Sequence, residues 1–121
     1  MWLFTKHGFF SAVCAWQGDG TTHQPMDPDR VVVRARVQSH LEALKRRFPE
    51  QLGACDILSS PNRDYPYRIV VAKPEWTSVL AGLAEELDYD NFKGEVRRLE
   101  GSTPYERALH KVWGVMNKLP R

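Results

Sequence analysis

The sequence predicts an α+β fold, a mainly antiparallel sheet of about five strands with helices packed on one face. Short runs of β-branched and aromatic residues, bounded by turn residues, mark the strands. Apolar residues at three- and four-residue steps mark the helices, most of them late in the chain. At 121 residues, positions 1–121 read as a single α+β domain with one core.

Trp2-Leu3-Phe4-Thr5 and Phe9 to Ala15 read as a hairpin, with Lys6-His7-Gly8 between them. Gly8 supplies the positive φ that such a turn often requires. Trp16 to Arg30, with its glycines and prolines, reads as a long loop. Arg30 to Ala35 is the clearest strand, because β-branched residues suit a pleated surface. Val37, Leu41, Leu44 and Phe48 form a helical stripe that Pro49 ends. Asp56 to Ser59 and Tyr67 to Ala72 read as a second antiparallel pair around the turn Pro61-Asn62-Arg63-Asp64.

Pro74 suits the first turn of the next helix, whose apolar face is Val79, Leu80, Leu83 and Leu87. Asp90 is expected to cap a short helix that Gly101 closes. Thr103-Pro104-Tyr105-Glu106 matches a capping box and starts the last helix, with Leu109, Val112, Trp113 and Met116 as its stripe. The helix crossing from Val37 to Phe48 places its flanking strands in one sheet. A ferredoxin-like arrangement with an added N-terminal hairpin is the leading specific topology.

The formal charge of +2 is too small to argue for nucleic acid by itself. No apolar run approaches the roughly 20 residues that span a bilayer, and the N-terminus lacks the pattern of a secretory signal. Cys14 and Cys55 have no metal or redox spacing; their apolar settings suit buried free thiols in a reducing compartment.

Several segments resemble a widespread set of small bacterial proteins. They are Met1-Trp2-Leu3-Phe4-Thr5 with Gly8-Phe9-Phe10-Ser11, Val33-Arg34-Ala35-Arg36, Asp64-Tyr65-Pro66-Tyr67-Arg68 and Leu87 to Lys93, together with Tyr105, His110 and Trp113. The resemblance covers nearly the whole chain. It implies a bacterial, cytoplasmic protein and carries over no catalytic residues.

No combination of residues makes a catalytic or metal signature. No two of the four histidines have the helical spacing that brings two imidazoles to one metal. His110 follows Glu106 by four residues, which reads as a contact within one helix face. Glu85, Glu86, Asp88 and Asp90 lack the pattern of a calcium loop and read as capping charges. Gly18-Asp19-Gly20 lacks the rest of a phosphate cradle, and no serine sits in a nucleophile elbow.

A sheet with helices on one face leaves the other face to a partner or to solvent. Alternation puts Arg34 and Arg36 on one side of their strand, and Arg68 joins them from another. One of Phe9 and Phe10 must also face away from the core. The candidate binding residues are therefore Trp2, Phe9, Phe10, Arg34, Arg36 and Arg68. Four tryptophans are more than a small core needs, and interfaces favour Trp and Arg.

These residues read as a non-enzymatic binding or adaptor module for a protein partner or a second copy of the chain. The alternatives are a nucleic-acid-binding module using the arginine and aromatic sheet face, and a small enzyme using Cys14 or His110. No cofactor, metal site or membrane partner is implied. Two unpaired thiols have a direct test: reduction of the purified monomer should leave its intact mass unchanged.

Overall fold

Strict alternation through Val31, Val32, Val33, Arg34 and Ala35 organises the sheet. In the computed structural model, which describes all 121 residues, Val31, Val33 and Ala35 face the helices, with Phe10, Ala12, Ile69 and Val71 beside them. The strands are β1 (Trp2–Thr5), β2 (Gly8–Trp16), β3 (Met26–Ala35), β4 (Leu58–Ser59) and β5 (Tyr67–Ala72). They form one five-stranded sheet in the order β1-β2-β3-β5-β4, and every neighbouring pair is antiparallel. The fold is α+β.

The pairing does not confirm a ferredoxin-like arrangement. The helical connection leaving β3 leads to the edge strand β4 rather than to a neighbour of β3. β3 also starts four residues before the expected Arg30, because Met26 and Asp27 pair with Trp16 and Ala15. The register jumps there from Cys14↔Val31 to Ala15↔Asp27. Pro28 falls in that irregular stretch, where a residue without an N–H is tolerated.

The chain divides into two compact units, Met1–Leu87 and Asp88–Arg121. In the first, α1 (Gln38–Arg47), the short α2 (Pro49–Leu52) and α3 (Lys73–Glu85) supply Leu41, Leu44, Phe48, Leu52, Trp76 and Val79 to the core. Pro49 ends α1 and at once opens α2, as a proline can at a first helical position. On α3, Trp76 takes a buried place missing from the expected stripe, whereas Leu87 lies beyond the helix and is exposed. The hairpin turn between β1 and β2 is tied to the helices by His7, whose Nε2 lies 2.8 Å from Glu86 Oε2. Glu86 also pairs with Arg47.

Gly8 is required at that turn for two reasons. Its φ is +142°, and a Cβ there would lie 2.3 Å from the His40 ring. The imidazole fills the space, and its Nδ1 accepts the Phe9 amide at 3.2 Å. Nδ1 is thus the unprotonated nitrogen of a neutral ring.

The second unit contains α4 (Phe92–Glu100) and α5 (Pro104–Met116). The cap of α4 is Asn91, whose Oδ1 accepts the Gly94 amide at 2.9 Å; the expected Asp90 is one residue too early to reach it. Thr103 caps α5 as expected, accepting the Glu106 amide at 3.1 Å. The Glu106 carboxylate is buried and meets His110 Nε2 at 2.7 Å, one helical turn on. Leu109 is buried, but Trp113 and Met116 are 51% and 53% exposed, so the expected stripe is buried only in its first half.

Thr103→Ala should lower the unfolding free energy of the second unit by about 1 kcal/mol, read from the denaturant midpoint. Burial holds the His40 pKa below its ordinary 6.5. The unfolded chain then takes up this proton first as pH falls. The stability contributed by the neutral His40 ring should therefore be complete above pH 6.5 and be lost below it until the folded value is passed. An NMR titration of the His40 ring should give a midpoint below 6.5.

Candidate functional site: an arginine-lined cleft on the sheet face

The sheet face opposite the helices is built by register. Trp2 pairs with Ser11, Ser11 with Arg34, Arg34 with Arg68, and Arg68 with Leu58. These residues form one row across all five strands, at about 4.8 Å per strand. Trp2 is 68% exposed at the edge of the sheet, and Arg68, near the other edge, is 5% exposed.

Two connections fold over part of this face. Residues 17–25 bring Gly20 against Val70, so close that a Cβ on Gly20 would lie 2.9 Å from Val70 Cγ2. Residues 60–66 bring the Tyr65 ring over the Arg34 guanidinium, 4.8 Å from its Cζ. The two connections meet where Arg63 Nη1 donates to the Thr21 carbonyl at 3.4 Å. The face expected from the sequence to be bare is thus partly roofed, and this roof buries Arg68.

A cleft of about 280 Å³ lies between these connections, lined by Val13, Cys14, Trp16, Gly20, Thr21, Met26, Val32, Arg34, Arg63 and Arg68. It is slightly smaller than typical small-ligand pockets, which run from about 300 Å³ upward. Trp16 reaches it because of the register break at Cys14 and Ala15. Before the break Ser11 and Val13 face this side; after it Ala15 is buried and Trp16 lines the cleft. The Trp16 ring also meets the edge of His23, with centroids 4.9 Å apart.

The electrostatics of the cleft are one-sided. Arg34 Nη2 donates to Ser11 Oγ at 2.8 Å, and Arg68 Nη2 donates to the Tyr65 carbonyl at 2.9 Å. The Nε of each is buried with no acceptor. None of Arg34, Arg63 and Arg68 has a carboxylate within ion-pair distance, whereas Arg30, Arg47 and Arg98 each have one. Burial, followed by the nearby Arg63 and Arg34 charges, holds the Arg68 pKa below the ordinary guanidinium value. A buried charge without a partner is costly, and an anion in this cleft would remove that cost.

An aromatic row runs from the sheet edge toward these arginines. The Trp2 ring meets Phe9 edge-on at 6.0 Å, Phe4 stacks on Phe9 at 4.7 Å, and Phe9 meets Tyr65 at 6.2 Å.

The residues expected from the sequence fall into three groups. Arg34 and Arg68 share this face as expected; Trp2 lies on it too, and of the two phenylalanines that alternation left open, Phe9 is the one that faces it. Arg36 is exposed just past β3, where its Nη1 donates to the Asp64 carbonyl at 3.1 Å. Phe10 does not belong to the site. It is 0% exposed in the core, because the β2 alternation that turns Phe9 outward turns Phe10 toward the helices. Arg63, Trp16 and Tyr65 are additions that the sequence did not reveal, since all three come from connections or from beyond the register break. The turn signal at Pro61-Asn62-Arg63-Asp64 was visible, but not that the turn folds back over the sheet.

The residues of the enzymatic alternative are engaged locally. Cys14 Sγ donates to the Asp27 carbonyl at 3.0 Å, and His110 pairs with Glu106 of its own helix. Both cysteines are free, and burial raises the Cys55 pKa. No helix is long and apolar enough to cross a membrane. No known protein family, curated protein or solved structure matches the chain.

Proposed function

We propose that the protein is a non-enzymatic binding module whose partner places an anionic group against the sheet face opposite the helices. The supporting observation is the trio of Arg34, Arg63 and Arg68, gathered around one cleft without a carboxylate. Arginine suits the role because its planar fork pairs with carboxylates and phosphates and also stacks on rings. A cytoplasmic setting accords with two free thiols. The second reading is a protein partner or second copy that covers the exposed apolar residues Trp2, Val13, Met26 and Leu58, which lie on or beside the same face.

Heparin, a dense polyanion, tests the first reading. Wild type should be retained and should elute at higher salt than the variant carrying Arg36→Glu and Arg63→Glu. Both positions are exposed, so the circular dichroism spectrum should not change. A control carrying Arg46→Glu and Lys73→Glu makes the same charge change at exposed positions on the helices and should elute close to wild type. Equal losses in both variants would reduce the effect to net charge. A mass that rises with concentration, with no retention on heparin, would favour the second reading.

A further inference from the structure

We propose that the cleft is a nucleotide site, with a phosphate held by Arg34, Arg63 and Arg68 and a base stacked against Trp16. The inference rests on the anionic reading above and names the ligand class. Cations alone would suit any anion, including an acidic peptide. The further observation is that a ring lines the same cleft as the arginines, together with the apolar side chains of Val13, Val32 and Met26. A ligand that uses all of them needs a charged group beside a flat apolar one, and a nucleotide has both.

The donors also suit phosphate. Arg34 and Arg68 each donate to the protein from Nη2 alone, and the Nη1 of each has no protein acceptor. Each fork therefore keeps donors for the several oxygens of a phosphate group. Arg63 is exposed and reaches the opposite connection through Thr21, so it stands at the mouth of the cleft. Trp2 lies two strands from Arg34 in the same row, about 10 Å away. A neighbouring nucleotide of a single strand would find a second exposed ring there.

The test measures binding of a short fluorescein-labelled single-stranded oligonucleotide by anisotropy, and of a free mononucleotide by isothermal titration calorimetry. Arg63→Glu should weaken binding by about tenfold or more, and Trp16→Leu by about tenfold. Arg46→Glu should change little, and circular dichroism should show all three variants folded. Binding of the mononucleotide with both losses makes the ligand a free nucleotide. Binding of the oligonucleotide alone, with both losses, makes it a strand. Polyphosphate and polyglutamate are the competing anions. If either binds as tightly and Trp16→Leu has no effect, the nucleotide inference is overturned and the anionic reading stands. If the oligonucleotide binds but neither variant weakens it, the site is wrong. If no anion binds at all, both readings fall.

Discussion

The ladders that join β3 to β2 and β5 set the positions on which the rest of the structure depends. They pair Ser11 with Arg34 and Arg34 with Arg68, and one step along they pair Ala12 with Val33 and Val33 with Ile69. A slip of one residue would exchange these two rows, driving the arginines into the helices and the valines outward. The core therefore enforces the register, and the register aligns the arginines. Burial of Val33 and Ile69, both fully enclosed, is the energetic reason that Arg34 and Arg68 meet on the other face.

Two like charges brought together in this way would ordinarily be left to solvent. Here the connections at 17–25 and 60–66 close over them, and Arg63 adds a third charge from above. Main-chain oxygens and Ser11 satisfy some of the donors, but no carboxylate enters. Other cations of the protein do have carboxylate partners, with Asp27 on Arg30, Glu86 between His7 and Arg47, and Glu95 on Arg98. The lack of a carboxylate partner for three neighbouring arginines separates the cleft from an ordinary solvated sheet face.

The break in register between β2 and β3 makes a second contribution. It interrupts the ladder and reverses the sidedness of the residues beyond it, so that Trp16 joins the face to which Ser11 and Val13 belong. Irregularities of this kind commonly re-aim a side chain beside a working site. The hairpin turn at Gly8 does similar positional work on the other side of the sheet, where the glycine lets His40 approach the backbone and accept the Phe9 amide.

Local chemistry and periodicity in the sequence were enough to determine the α+β class, the span of β5, the cap at Thr103 and the α1 stripe of Leu41, Leu44 and Phe48, although Val37, its expected first member, precedes the helix and is exposed. Each depends on residues within a turn or two of one another, and such signals survive without tertiary context. The alternation that put Arg34 on one side of its strand, and one of Phe9 and Phe10 outward, is of the same kind. Tertiary structure alone decided that Phe10 rather than Phe9 belongs to the core, because alternation is symmetrical until a helix covers one side. It also decided that the face is partly roofed and that Trp16, Arg63 and Tyr65 gather at the arginines. Those positions are set by contacts between residues far apart in the chain, such as Arg63 with Thr21 and Tyr65 with Arg34. No local pattern encodes such contacts; they form when the core closes and brings the connections against the sheet.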